Sequence, residues 1–285
     1  MRDPLQIHQL LHDFGLEPRK SLGQNFLTDQ RFLSRILGAA ALSARDQVLE
    51  IGPGLGGLTR ALAEQAGRVT AVELDNRLFA ALKQTLADLP NVTLVNADIL
   101  SLDIGELMGH APYKVVANLP YNITSVALRH LLEASPRPSL LVLMVQKEVA
   151  QRIVAGPGEM SLLAVSVQFY GQPRLVTKVP AGAFYPTPKV DSAILRIETF
   201  PQLMVAEADI PRFFGLARAG FGQRRKQLRN SLAHGLGLPT ALIEERLNVC
   251  ALDPQRRAES LSLAEWGALL QAFEAIPLPK APGDR

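Results

Sequence analysis

The run Asn118-Leu119-Pro120-Tyr121 sets a side-chain amide, a backbone carbonyl, a rigid proline and an aromatic ring next to one another. Such a set suits the exocyclic amine of adenine, a poor nucleophile because its lone pair is delocalised into the ring. Acceptors beside it, here the Asn118 side-chain oxygen and the Leu119 carbonyl, hold its N–H bonds and favour a more pyramidal nitrogen. Pro120 restricts the loop so that this carbonyl keeps its direction, and Tyr121 offers a face on which a base can stack. A plain turn with a buried tyrosine is the bland alternative. Three upstream groups weigh against it.

The first is Glu50-Ile51-Gly52-Pro53-Gly54-Leu55-Gly56, a glycine-rich turn after an apolar run. Glycines such as Gly52 and Gly54 let a cofactor approach the backbone closely at a helix N-terminus, although simple tight turns also use them. The second is Glu73, roughly 20 residues on, where a carboxylate can accept from a ribose diol. The neighbouring Asp75 is the better candidate for a helix cap. The third is Asp98 in Asn96-Ala97-Asp98, placed to accept from the adenine amino group of a cofactor; an Asp in a strand-to-helix turn is the simpler reading. The G-x-G-x-G spacing departs from the dinucleotide fingerprint, and Glu50 beside it suits a cationic cofactor better than a pyrophosphate. S-adenosyl-L-methionine carries a sulfonium and an ammonium and no phosphate. On these residues alone a nicotinamide cofactor stays open.

These groups need a scaffold, and the hydropathy pattern supplies one. Short apolar runs at 47–51, 69–73, 92–95, 113–117 and 139–145 read as strands, alternating with helical patterns at 55–66, 76–87 and 124–134. Alternation of this kind means βαβ units and a parallel sheet covered on both faces. The fold class is therefore α/β, doubly wound. After Gln146 come helical patterns at 146–155 and 161–170, then strands at 175–179 and 193–198 joined by a proline-rich loop. Such a hairpin gives the sheet an antiparallel edge. From about residue 205 only helical patterns remain, clearest at 213–218, 224–233 and 262–273, the last opening on the capping box Ser262-Leu263-Ala264-Glu265. Trp266 on that helix reads as core. The expected division is a cofactor-binding domain over residues 1–204 and a helical substrate domain over 205–285, with a proline-rich, disordered tail at 277–285.

The bulk numbers exclude more than they assert. With 285 residues, 47% hydrophobic and 20% charged, the chain reads as a globular protein; its net charge of +3 tolerates a polyanion without demanding one. A single cysteine, Cys250, rules out an internal disulfide and any multi-cysteine zinc site, so no metal is expected. Residues 1–20 carry charges among their apolar positions, unlike a signal peptide, and no run is long and apolar enough to span a membrane. The expectation is a cytoplasmic protein.

The constellation resembles the amino-methyltransferases, and more narrowly the small-subunit (16S) rRNA adenine N6-dimethyltransferase family, across nearly the full chain. Lys20-Ser21-Leu22-Gly23-Gln24-Asn25-Phe26-Leu27 is similar to that family's N-terminal motif, in which Asn25 and the Leu27 backbone close over the cofactor. Phe184-Tyr185-Pro186-Thr187-Pro188-Lys189-Val190-Asp191-Ser192 is similar to its late motif, with Phe184 packing on the target base opposite Tyr121. The stretch Phe221–Leu232 resembles its helical-domain signature. The resemblance implies a Rossmann-like methyltransferase sheet, with Asn25, Leu27, Gly52, Gly54, Glu73, Asp98 and Asn118 on the cofactor and Asn118, Leu119, Pro120, Tyr121 and Phe184 on the base. It also implies dimethylation of two adjacent adenosines in a hairpin near the 3′ end of 16S rRNA, by a monomer acting on the maturing 30S particle.

Phosphate contacts are expected from Arg224, Arg225, Lys226 and Arg229, with Arg19 and Lys20, Arg225 and Arg229 sharing one helical face. A solvated helix face is the plainer reading. Arg256-Arg257 is a weaker candidate, and none of the five histidines falls in the motifs.

Overall fold

The computed structural model describes residues 7–274 and 276; the tail expected to be disordered lies outside them. Nine strands are assigned among the described residues: β1 (Phe26–Leu27), β2 (Gln47–Ile51), β3 (Arg68–Glu73), β4 (Val92–Asn96), β5 (Lys114–Asn118), β6 (Leu140–Gln146), β7 (Gly171–Val179), β8 (Phe184–Tyr185) and β9 (Ser192–Thr199). Seven of them form one sheet in the order β4-β3-β2-β5-β6-β9-β7. The pairs from β4 through β6 are parallel, and β9 runs antiparallel to β6, with Gln146 opposite Ser192. The order reverses between β2 and β5, which is where open α/β sheets place their ligands.

The strands read as nearly continuous apolar runs because both faces are covered. Val48, Val116, Val142 and Met144 pack on one face in a cluster with Leu33, Ile36 and Ala40 of the helix Gln30–Ala40. The alternate set, Leu49, Ile51, Val115, Ala117, Leu141 and Leu143, is equally buried. The C-terminus of the helix Gln30–Ala40 is held by cations from two strands. Lys114 Nζ donates to Ala41 O at 2.9 Å, and Arg196 Nε donates to Ala39 O at 2.9 Å. Both satisfy last-turn carbonyls and complement the helix dipole.

The chain divides into two compact units, one of residues 1–151 and 172–199, the other of residues 152–171 and 200–285. The second unit thus takes in the helix Leu162–Gln168 as well as the helices Ile210–Phe221, Leu228–Leu236, Thr240–Val249 and Leu263–Ala272. Phe169, Tyr170, Phe213 and Phe214 meet within it at ring-centroid distances of 4.6 to 6.0 Å. Trp266 is buried, as expected of a core residue, and the capping box at Ser262 and Glu265 is present.

The helix expected over 224–233 is displaced to Leu228–Leu236. Residues 223–226 form a turn instead, closed by Lys226 N donating to Gln223 O at 2.9 Å. Three consecutive cations at the positive end of a helix dipole disfavour helical continuation there. Arg225 and Arg229 consequently do not share a helical face.

Candidate active site

The first unit carries an open cleft at the carboxyl ends of β2, β3, β4 and β5, enclosing about 1230 Å³ with its mouth. Asn25, Leu27, Gly52, Gly54, Glu73, Asp98, Asn118, Leu119, Pro120 and Tyr121 all line it.

The floor is the turn after β2. Gly52 and Gly54 adopt φ of +66° and +62°, where side chains are strained. A Cβ on Gly54 would sit 2.9 Å from the Phe26 ring, so glycine is required by packing as well. At Gly52 the nearest atoms to such a Cβ are Asn118 O and Pro120 Cδ, at 3.9 and 4.0 Å. The turn therefore stays open toward the loop after β5. The following helix begins only at Gly57, capped by Gly56 at φ +85°, two residues later than its apolar pattern implies.

Glu73 ends β3 and is buried. Its Oε1 accepts from Asp75 N at 2.8 Å and its Oε2 from Gly54 N at 3.3 Å. Burial raises its pKa, and these two backbone bonds oppose the rise. The carboxylate braces the glycine turn while using only two of its roughly four lone-pair sites. Asp98 is exposed and its Oδ1 accepts from Leu100 N at 3.0 Å, the turn-capping role weighed in the sequence. Leu74, half exposed, presents an apolar side chain to the same cleft.

Glu50 is 1% exposed, and neither carboxylate oxygen has a hydrogen-bond partner among the described residues. The Thr59 hydroxyl lowers its pKa. Burial dominates and, with the charge of Glu73 adding to it, pushes Glu50 up to about 8. An orphaned buried carboxyl beside a glycine cradle and a second acid fits a cationic ligand and disfavours a pyrophosphate. The residues present therefore fit S-adenosylmethionine.

The loop after β5 supplies the opposite wall. Asn118 Nδ2 donates to Asn25 O at 2.9 Å, which leaves Asn118 Oδ1 as a free acceptor. Leu119 N donates to Met144 O at 3.1 Å. Pro120 O accepts from Ile123 N and Thr124 Oγ1, each at 3.2 Å, so the loop closes into the helix Thr124–Leu132. Tyr121 is half-buried, and burial raises its phenol pKa.

A strap of residues 19–27 covers this wall. Gly23, at φ +65°, lies so close that a Cβ would come within 3.2 Å of Pro120 Cβ. Gln24 fastens the strap: its Nε2 donates to Asp75 Oδ2 at 3.0 Å, and its Oε1 accepts from Arg19 N at 2.7 Å. Burial alone would raise Asp75, but the bonds from Arg77 and Gln24 win and hold it at about 2. Asp75 also caps its helix through Arg77 N, as its sequence position implies. Its second role as the strap's anchor has no local signal, since Gln24 lies 51 residues away.

Phe184 is not among the residues lining the cleft. It is 3% exposed and packs in the core with Leu27, Val179 and Ala183, its backbone paired with Leu27 across the small sheet of β1 and β8.

Sheet order, cleft position and the orphaned acid together define an α/β methyltransferase of the Rossmann-like type. The model for the family described as ribosomal RNA adenine dimethylase matches residues 15–268, and the chain belongs to that family. It is similar to a ribosomal RNA small subunit methyltransferase A of Dehalococcoides mccartyi, 50% identical over 95% of this chain and 94% of the relative. It is also similar to one of Geobacter sulfurreducens, 46% identical over 92% and 97%. Among solved structures, a dimethyladenosine transferase from Plasmodium falciparum superposes with a TM-score of 0.76 at 25% identity, covering 88% of this chain and 98% of that one. The 23S rRNA methyltransferase ErmE superposes at 0.71 with 30% identity, covering 88% and 100%. The chain is thus an rRNA adenine dimethyltransferase with S-adenosylmethionine-dependent chemistry. No helix among the described residues is long and apolar enough to cross a membrane.

Proposed function

We propose that this chain dimethylates N6 of two adjacent adenosines in a hairpin near the 3′ end of 16S rRNA, within the maturing 30S particle in the cytoplasm. Support for the small subunit comes from its relatives, which are ribosomal RNA small subunit methyltransferases. The observation that carries the chemistry is the cleft itself, where Glu50, without a hydrogen-bond partner among the described residues, faces the same space as the Asn118–Tyr121 loop.

When bound, S-adenosyl-L-methionine supplies an electrophilic methyl group on a sulfonium. Glu50 and the Gly52–Gly54 turn hold the cationic end, Glu73 accepts from the ribose, and Asp98 accepts at the adenine edge, with Asn25 and Leu27 closing over. Asn118 Oδ1 and the Leu119 carbonyl take the two N–H bonds of the target amine, and Tyr121 stacks on its base. The base must leave its helix to reach this depth. Positioning and a preorganised polar wall do the catalytic work. No histidine lines the cleft among the described residues, and the amine's proton leaves to water after transfer.

The decisive experiment incubates the purified protein and labelled cofactor with undermethylated 30S subunits or naked 23S rRNA. Label in 30S at the paired adenosines is expected. Label confined to 23S rRNA would favour the second reading, a large-subunit methylase, for which the ErmE superposition speaks.

A further inference from the structure

The late motif meets the cleft-lining Tyr121 through Ser192. Tyr121 Oη and Ser192 Oγ lie 2.7 Å apart, either able to donate, and Ser192 is fully buried. Ser192 is the first residue of β9, set opposite Gln146 at the end of β6. Its position is pinned from both sides. Lys147 N donates to Asp191 O at 3.0 Å, and Asp191 Oδ1 accepts from Ala181 N at 3.2 Å. Tyr121, by contrast, sits on a loop, and its ring can turn about two side-chain torsions. A bond at the phenol end removes the freedom of the first, which swings the hydroxyl, and biases the second through the preference of the phenol hydrogen for the ring plane.

The strand direction explains how the serine gets there. Parallel strands end at the carboxyl edge of the sheet, whereas β9, running against β6, begins there. Only an antiparallel strand can offer its first residue to the loop after β5 at that edge.

We propose that Ser192 is a positioning residue for methyl transfer, whose buried hydroxyl anchors the Tyr121 ring against which the acceptor base lies. The inference rests on the cleft being the adenine N6 site. Ser192 does not line the cleft; it acts through Tyr121.

The test compares Ser192→Ala, Tyr121→Phe and the double variant on undermethylated 30S, with kcat, cofactor affinity by titration calorimetry and Tm measured for each. Tyr121→Phe keeps the ring and removes only the phenol, so it tests the bond even if Ser192→Ala disturbs β9. Each single variant should lower kcat about fivefold, equivalent to roughly 1 kcal/mol for one hydrogen bond. Cofactor affinity should stay at the wild-type value, and the double variant should be no slower than the slower single one, as expected for partners in one bond. Wild-type kcat in Ser192→Ala, additive losses, or a fall in kcat accompanied by equal losses of cofactor affinity and Tm would overturn the inference alone. A wild-type protein that labels neither 30S nor 23S rRNA would overturn the functional reading and take this inference with it.

Discussion

Asn118 gives one of its amide hydrogens to the backbone carbonyl of Asn25, at 2.9 Å across 93 positions of sequence. This bond fixes which way the amide faces, because the nitrogen is committed to the strap and the oxygen is left toward the cleft. It also couples strap closure to acceptor geometry. Asn118→Ala removes the acceptor and should lower turnover on the order of 10²–10³-fold, the usual effect of deleting one preorganised polar group. Cofactor affinity should change far less. Asn118→Asp keeps an acceptor but sets a carboxylate against the Asn25 carbonyl, so the strap is repelled and both constants should fall. Steady-state kinetics beside calorimetric titration separates the two variants; equal losses of both constants in Asn118→Ala would refute the role.

Glu73 should behave in the opposite sense. Its carboxylate braces Gly54 and Asp75 and is the acceptor proposed for the ribose. Glu73→Ala should weaken cofactor binding by about 10- to 100-fold, the range for a lost charged hydrogen bond, with kcat at saturating cofactor changed little. A kcat loss as large as that of Asn118→Ala would place Glu73 on the transferring side instead.

The contrast between these residues and the strap of residues 19–27 marks what a sequence can carry. The five parallel strands lie within a residue or so of their apolar runs; the inner four are buried on both faces and have no other reading at that length, while β4 at the sheet edge is only partly covered. Glu73, Asp98 and Asn118 each end or follow such a strand, so topology alone gathers them. The strap's fastening of Gln24 to Asp75 and the pairing of Leu27 with Phe184 join distant segments by single bonds and two-residue strands. Neither leaves a periodic trace. The helix Thr240–Val249 was equally silent: it follows Pro239, has no side-chain cap, and mixes apolar with charged residues around its circumference. Glu50 was legible as an acid beside a cofactor loop, but its burial without a partner is a property of packing.

That burial has a pH signature. Glu50 is raised from an ordinary 4.5 to about 8, so the folded protein keeps a proton that the unfolded chain releases. Ionising Glu50 therefore costs stability progressively as pH rises from about 4.5 through 8. The ligand-free protein should lose Tm across that window, and Glu50→Gln should reduce the loss. A cation that needs the ionised carboxylate reverses the trend for binding: cofactor affinity should rise with pH up to about 8, by at most about tenfold per unit for one proton released. Glu50→Gln should bind more weakly at pH 8 with a flatter pH profile. Identical profiles for the two proteins would show that Glu50 does not meet the cation.

Around the turn before the helix Leu228–Leu236, exposed cations expected to meet RNA lie beside cations engaged as internal struts. Arg224, Arg225 and Lys226 are exposed on that turn. Arg229 is engaged: its Nη1 lies 2.5 Å from Glu244 Oε1, and its Nε donates to Gln227 Oε1 at 3.1 Å. Arg256 is likewise committed to Glu265, held at about 2 by that guanidinium. Neutralising Arg224, Arg225 and Lys226 together should weaken rRNA binding and reduce the slope of log K against log salt by roughly 0.7–0.9 per lost phosphate contact. Tm should be unchanged. Arg229→Ala should do the reverse, lowering Tm by about 1–3 °C, as befits a partly exposed ion pair, with the salt slope preserved. Filter binding of 30S over a salt series, paired with calorimetric melting, reads both quantities. If Arg229→Ala flattened the slope and the triple variant did not, phosphate recognition would lie on the helix and not on the turn before it.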